Sequence, residues 1–140
     1  MRHTLFITSI VCLAACALAS RPTKLLKDEF VGDWKIHLTP SADDASQPGV
    51  KEFDEILRFA PDKLSTPKVL AKHGFGPSPY DEDVTAFGPA KFKCTQKSDK
   101  EGQIDWQGTL VATSVQGTMV WTHADKSVTH YDYQGDKGNQ

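Results

Sequence analysis

The sequence predicts an all-β fold, a small antiparallel up-and-down β-barrel of about eight strands. Apolar and polar residues alternate with a period of two along most of the chain, and no long segment has the period of a helix. The 10 glycines and 8 prolines of the 140-residue chain divide the apolar runs into short segments. A meander of such strands has exposed edges, which closure into a barrel removes.

The length and charge of the chain narrow its class. With 140 residues, 39% of them hydrophobic, the chain can build one globular core and is too short for a second. Its formal net charge is only -2, whereas nucleic-acid binders usually carry a basic patch or stripe. We therefore expect a single-domain monomer with no nucleic-acid partner.

The first residues have the pattern of an export signal. Met1-Arg2-His3 forms a short positive region, and a run of apolar and small residues extends from Leu5 to Ala15. This run is too short to span a bilayer as a stable helix. We predict a signal peptide and an extracytoplasmic protein, secreted or periplasmic.

Two processing sites fit this signal. Ala17-Leu18-Ala19 is an A-x-A site, which would make residues 1–19 the signal peptide and Ser20 the first mature residue. The alternative is Leu13-Ala14-Ala15-Cys16, which resembles a lipobox and would end the signal at residue 15, with a lipid on Cys16. Only the lipoprotein route tethers the protein to a membrane. The short reach from Cys16 to the first predicted strand favours the first route.

Cysteine usage gives no disulfide framework to the mature domain. Cys12 and Cys16 lie in the signal, so a soluble mature chain keeps Cys94 alone. Cys94 alternates with Phe92 in a strand pattern, which places both side chains on one face. We expect a buried, unreactive thiol and a fold stabilised by packing.

The mature chain divides into three parts. Residues 20–31 are predicted to form a linker with a short helical turn, residues 32–136 the barrel, and residues 137–140 a polar tail. In the first strand Trp34, Ile36 and Leu38 alternate with polar residues, and Pro40 ends the strand.

The second strand contains one residue that breaks the pattern. In residues 52–59 the inward positions are Phe53, Leu57 and Phe59, and Glu55 shares their parity. A buried carboxylate without partners is costly, so we favour a bulge or a rim position that takes Glu55 outward. The alternative is that Glu55 lines a cavity.

The middle of the chain has shorter patterns. Residues 64–71 predict a third strand or a mixed segment, in which Pro67 permits only an edge or bulged position. The Gly- and Pro-rich residues 74–80 predict a loop that folds over the barrel mouth. The acidic residues 80–83 predict a solvated turn, and residues 84–87 and 90–97 predict strands four and five.

Three consecutive strands complete the barrel, at residues 103–110, 115–121 and 128–133. The turn at residues 112–114 lacks glycine and asparagine, so we expect it to be strained or longer than usual. The second turn, around residues 124–127, sets the register of the last strand. We choose an odd-length loop, because it places Tyr131 on the face of Trp121 and leaves His130 in solvent.

Several motifs resemble those of the lipocalin and calycin group. Gly32-Asp33-Trp34 opens the first strand, and later strands carry Trp-x-Gly at 106–108, Gly-x-x-x-Trp at 117–121 and Tyr-x-Tyr-x-Gly at 131–135. The resemblance implies that Trp34 closes one end of the barrel. The group packs a late arginine on this tryptophan, and Lys137 is the candidate replacement in this chain.

The sequence has no motif typical of catalysis. It contains no Gly-x-Ser-x-Gly, no glycine-rich phosphate loop and no paired carboxylates in an apolar setting. We therefore expect neither an enzyme nor a cofactor. His123 and His130 fall on opposite faces in the chosen register, so we expect no metal site, although the other register would bring them together.

Two functions remain open from the sequence. In the first, the exported barrel binds a small apolar or amphipathic ligand, because such barrels enclose apolar surface. Phe75 or Tyr80 would be the lid, and the wall would consist of Trp34, Phe53, Phe59, Trp106, Met119, Trp121 and Tyr131. In the second, the same residues fill the core, and the outer surface serves a protein or envelope partner.

Overall fold

The computed structural model describes residues 29–84 and 88–139. Eight antiparallel strands form a closed barrel, in which each strand pairs with its neighbour in sequence and the last pairs with the first. The strands are β1 (Gly32–Pro40), β2 (Phe53–Phe59), β3 (Lys63–Ser65), β4 (Ser78–Asp83), β5 (Ala90–Ser98), β6 (Gly102–Val111), β7 (Ser114–Thr122) and β8 (Val128–Lys137). The predicted all-β barrel is confirmed.

Several predictions for the N-terminal region concern other residues. The predicted signal peptide, the Cys16 lipidation site and residues 20–28 of the predicted linker lie outside the described residues. Glu29 and Phe30 are helical and lead directly into β1. No helix within residues 29–84 and 88–139 has the length and apolar character needed to cross a membrane.

The side chains of β1 alternate between buried and exposed, as the sequence predicts. Trp34, Ile36 and Leu38 are buried, whereas Lys35 and His37 are exposed. The strand pairs with β2 on one side and with β8 on the other, and this second pairing closes the barrel. One face of β1 therefore points into the core and the other points to solvent.

The last three strands have the predicted register. The loop at residues 123–127 joins Thr122 to Val128, so that Met119 lies opposite Tyr131. Tyr131 is buried and His130 is exposed. The turn between β6 and β7 is tight, and Ala112 adopts a positive φ of 53°, which agrees with the strain expected there.

The third and fourth strands differ from the prediction. Strand β3 is only Lys63–Ser65, and the chain then forms a 3-10 turn at Leu70–His73. The next strand is Ser78–Asp83, so the acidic residues lie in a strand and the predicted solvated turn is wrong. Val84 lies outside any strand, and residues 85–87 of the predicted fourth strand lie outside the described residues.

The physical reason lies in the partner strands. Pro67 cannot donate to a ladder, so the strand ends before it and β4 has only a short partner on that side. On the other side the last four residues of β4 pair with β5, where Tyr80 lies opposite Cys94 and Glu82 opposite Phe92. The exposed carboxylates of Asp81 and Asp83 discourage edge-to-edge pairing of this strand with another chain.

An aromatic cluster closes the end of the barrel where β1 begins, here named the lower end. The Phe59 ring lies 4.9 Å from that of Phe92 and 5.6 Å from that of Phe30. The indole N–H of Trp34 donates to the carbonyl of Phe30 at 2.9 Å. This bond connects the helical residues before β1 to the barrel interior.

Lys137 lies against the ring of Trp34 at the lower end. Its Nζ lies 5.5 Å from the centre of the Trp34 ring and donates to the backbone carbonyl of Glu29 at 3.0 Å. A cation at this distance is attracted by the face of the indole. The predicted contact between Lys137 and Trp34 is present.

Candidate functional site

The candidate wall residues lie inside the barrel and are packed against other side chains. Trp34 and Met119 are 0% exposed, and Phe59 and Trp106 are 1% exposed. A residue that lined an internal void wide enough for water would retain accessible surface on that side. These four side chains therefore border no such void.

The tryptophans of the wall also have their polar atoms occupied. Trp106 Nε1 donates to Gln96 Oε1 at 2.8 Å, and Trp121 Nε1 donates to the carbonyl of Glu101 at 2.9 Å. Within the described residues every buried side-chain nitrogen and oxygen has a hydrogen-bond partner. Among these residues the interior presents no unsatisfied polar group that would anchor a ligand.

The two predicted lid residues lie at different ends of the barrel. Phe75 is buried near the upper end, the end where β1 finishes, and its ring lies 5.5 Å from that of Trp121. Tyr80 belongs to β4, and its hydroxyl donates to the carbonyl of Ala60 near the lower end. Phe53 and Tyr131 pair at 5.5 Å in the upper half, where Phe53 is partly exposed.

The upper end is closed by residues 66–76, here named the plug. The carboxylate of Glu55 holds it: Oε1 accepts from the backbone N–H of Lys68 at 2.9 Å, and Oε2 accepts from those of Val69 and Leu70 at 2.8 Å. Oε1 also accepts from the N–H of Ile56. Glu55 is 1% exposed, so four donors satisfy a fully buried side chain.

The favoured bulge at Glu55 is therefore wrong. The pairing of β1 with β2 continues without interruption, with Ile36 opposite Glu55. The inward carboxylate is stable there because the plug supplies the N–H groups that it needs. Nothing in the residues next to Glu55 indicates these partners, since the plug donors are more than ten positions away in the chain.

A second buried polar group holds the other side of the plug. Gln96 Nε2 donates to the carbonyl of Gly76 at 3.0 Å and to Thr66 Oγ1 at 3.2 Å, while its Oε1 accepts from Trp106. Ser98 Oγ donates to the carbonyl of His73 at 2.7 Å. An internal ligand would have to displace these bonds as well as the plug.

Cys94 and the two late histidines take structural positions. Cys94 is buried, and burial raises the pKa of its thiol to about 12. His123 Nε2 lies 2.9 Å from Thr129 Oγ1, and His130 Nδ1 lies 2.9 Å from Asp44 Oδ2. Across residues 29–84 and 88–139 no three metal-ligating side chains are grouped as a metal site.

The outer surface, in contrast, carries an open groove of about 980 Å³. It crosses five strands, from β6 through β7, β8 and β1 to β2, with Lys68 of the plug at one side. Two cross-strand rows of outward side chains form it. The central row is Thr109, Gln116, Gln134, His37 and Asp54, and the second row is Val111, Ser114, Asp136, Lys35 and Ile56.

Charged side chains of both signs line the outer groove. His37 Nδ1 lies 2.6 Å from Asp54 Oδ1, and this hydrogen bond raises the pKa of His37 and lowers the pKa of Asp54. Lys68 also interacts electrostatically with Asp54, and Lys35 is the cross-strand partner of Asp136. Each exposed carboxylate of the groove thus has a basic neighbour.

Several polar groups of the groove remain available to a ligand. The side chains of Gln116, Gln134, Lys35 and Lys68 make no hydrogen bond or ion pair within the part of the chain that the structure describes. Sequence reasoning did not identify this surface. The sequence feature that could have indicated it is the run of amide and hydroxyl side chains at alternate, outward positions of β6 to β8.

Comparisons of the chain with models of protein families, with curated proteins and with solved structures found no match. The barrel is compatible with a lipocalin-like architecture, since it has eight antiparallel strands in sequential order.

Proposed function

We propose that this protein is an exported, non-catalytic binding module that recognises its partner on the outer surface of a filled β-barrel. The outer groove is the proposed binding surface. The observation that carries the proposal is the contrast between the two sides of the sheet. The predicted wall residues Trp34, Trp106 and Met119 are 0 to 1% exposed, whereas the outside bears an open groove of ligand size, about 980 Å³.

The closure of both barrel ends supports the same proposal. Lipocalin-type binding needs an open mouth, and here the plug covers the upper end while Phe30 and Trp34 fill the lower end. To admit a ligand the barrel would have to break the three hydrogen bonds that Glu55 accepts from the plug. Among the two functions that the sequence left open, we therefore propose the one that uses the outer surface.

We also infer that the barrel is lipocalin-like in descent as well as in shape. Support comes from Gly32-Asp33-Trp34 at the start of β1, the position of Trp34 at the lower end and the contact of Lys137 with its ring. On this proposal the ligand site of the group has been replaced by side chains.

Export is supported by the pattern of residues 1–19. The intact mass of the mature protein tests both routes. A chain that starts at Ser20 supports soluble export, and a diacylglyceryl adduct on Cys16 supports a membrane-tethered lipoprotein. A mature chain that retains Met1 would contradict export.

A titration distinguishes outside from inside binding. The ¹⁵N-labelled protein is titrated with laurate, an apolar amphiphile, while the indole N–H signals of Trp34, Trp106 and Trp121 are followed. We expect no saturable shift of these signals. A stoichiometric, saturable shift of the Trp34 and Trp106 indoles would show an internal site and contradict the proposal.

A further inference from the structure

The lower half of β4 has a partner strand on one side only. On the β3 side the pairing ends with Lys63 opposite Pro79, because β3 begins at Lys63, directly after the turn that Ala60 closes. On the β5 side the pairing continues to the end of β4, where Asp83 lies opposite Lys91. Residues 80–83 therefore form an open edge of the barrel wall at its lower end.

This open edge presents backbone groups that an added strand can use. Residues of a strand direct their N–H and C=O groups to alternate sides, so some of those in residues 80–83 point away from β5. Among the described residues, no backbone hydrogen bond other than those to β5 reaches this segment. The edge thus has the geometry in which an extended peptide adds to a sheet through main-chain hydrogen bonds.

The outward side chains of the open edge are acidic. Asp81 and Asp83 are exposed, and neither makes a side-chain hydrogen bond or an ion pair within residues 29–84 and 88–139. Asp62, in the turn before β3, adds a further negative charge, since it interacts electrostatically with the hydroxyl of Tyr80. A strand that approaches this edge meets carboxylates first.

We propose that the open edge of β4 binds a basic, extended segment of a partner protein, which joins the barrel wall as an additional strand. The edge is separate from the outer groove, whose lining belongs to β6, β7, β8, β1, β2 and the plug. The inference therefore goes beyond the proposed function and does not depend on it.

Charge selects a basic segment for this edge. The outward side chains of an added strand would lie about 5 Å from Asp81 and Asp83, as cross-strand partners do, and opposite charges stabilise such pairs. Lys93 and Lys91 are the partners of these two aspartates on β5. They would lie about two strand spacings, or roughly 10 Å, from the added strand, where salt weakens their repulsion.

The same carboxylates disfavour a second copy of this chain. If two β4 edges paired, Asp81 and Asp83 of each copy would face acidic side chains of the other. The occupant is therefore a strand with lysine or arginine at alternate positions. The positions in between would face Tyr80, whose ring packs against those of Phe30 and Phe59, and they suit an apolar side chain.

The test is an NMR titration of the ¹⁵N-labelled full chain with three short blocked peptides. The first alternates lysine and valine, the second alternates glutamate and valine, and the third is the lysine–valine peptide with every amide N-methylated. The third keeps the charge but has no backbone donor. We expect only the first to bind saturably, with protection from exchange of those amides among residues 81–83 that exchange fast in the free protein.

Two double variants test the role of the carboxylates. Asp81→Asn combined with Asp83→Asn should weaken binding of the lysine–valine peptide about fivefold, the loss of two cross-strand charge pairs. Asp43→Asn combined with Asp132→Asn makes the same change of charge at exposed positions outside β4 and should leave binding unchanged. Unchanged melting temperatures should show that both variants fold.

Several results would overturn this inference. They are the absence of binding by the lysine–valine peptide, equal binding of the glutamate–valine peptide, equal binding of the N-methylated peptide, and equal weakening by both double variants. Uniformly slow exchange of residues 81–83 in the free protein would overturn it too, because the edge would already be occupied. Sedimentation would then assign the occupant, a second copy if the protein is a dimer and another segment of this chain if it is a monomer.

Discussion

Glu55 Oε2 lies 2.8 Å from the backbone nitrogen of Leu70, 15 positions further along the chain. This bond joins the wall of the barrel to the plug and places a buried charge among backbone donors. It explains how a carboxylate can occupy an inward strand position, and together with the bonds of Gln96 and Ser98 it holds the upper end closed.

We predict that Glu55→Gln destabilises the protein by about 2 to 4 kcal/mol, since a charged acceptor of several hydrogen bonds is replaced by a neutral amide with one oxygen. Two of the N–H groups would then face an NH₂ group. Chemical denaturation measures the loss, and hydrogen exchange should show faster opening at Val69 and Leu70.

The control for this change is Glu52→Gln, a carboxylate whose side chain is 68% exposed. We expect its stability to stay within about 0.5 kcal/mol of the wild type. Equal effects of the two substitutions would contradict the role assigned to Glu55.

Much of the barrel could be predicted from the sequence because it depends on local alternation. The buried positions of β1 follow from the alternation of apolar and polar residues along the strand. The register that brings Tyr131 to the Trp121 face follows from the odd length of the loop before β8. The plug and β4 could not be predicted in this way. Their positions depend on Glu55 and Gln96, whose partners are distant in the chain and unrelated in pattern.

The candidate site shows the same division. The prediction that Trp34, Trp106 and Met119 lie inside is correct, because each stands on the apolar side of an alternating strand pattern. Whether the barrel is hollow depends on how completely the inward side chains of all the strands fill the interior. The sequence of one strand does not show this. The outer groove depends on side chains from five strands, and the sequence shows only that many outward residues of β6 to β8 are amides and hydroxyls.

We predict that Gly117→Ala destabilises the barrel by about 2 to 3 kcal/mol or more through overpacking. A Cβ on Gly117 would lie 1.9 Å from the carbonyl oxygen of Gln107 and 2.6 Å from the hydroxyl of Tyr133. Gly76→Ala is the matched control, since a Cβ there meets no atom within 4 Å, and it should be nearly neutral. Thermal unfolding of both variants measures this difference in stability. An unchanged melting temperature of Gly117→Ala would contradict the close packing around Gly117.

Lys137→Ala should cost about 1 kcal/mol, because it removes the cation from the Trp34 ring. Lys137→Arg should retain most of the stability, since a guanidinium also stacks on an indole. Lys100→Ala, at an exposed turn position, is the control. The account of the lower end would be wrong if Lys137→Ala and Lys100→Ala melted at the same temperature.

The His37 and Asp54 pair predicts a pH window. Because the hydrogen bond to Asp54 raises the pKa of His37 in the folded state, the contribution of the charged imidazole is complete below about pH 6.5 and is lost as the pH rises through the raised value. The pKa of Asp54 is lowered, so its contribution is present above about pH 4 and is lost on further acidification.

An NMR titration of the His37 imidazole tests this window. We expect a midpoint above about 6.5 in the wild type and a lower midpoint in Asp54→Asn. Asp43→Asn, an exposed carboxylate of the loop after β1, serves as the control and should leave the midpoint unchanged. An identical His37 midpoint in wild type and Asp54→Asn would show that the pair does not form in solution.

The central claim is that the barrel interior is filled by the protein's own side chains. Xenon occupies apolar cavities in proteins, so a crystal structure of the protein under xenon pressure measures this most directly. We predict no xenon atom among Trp34, Trp106 and Met119, which are 0 to 1% exposed. An ordered xenon atom between these side chains would reveal a hollow interior and contradict the account.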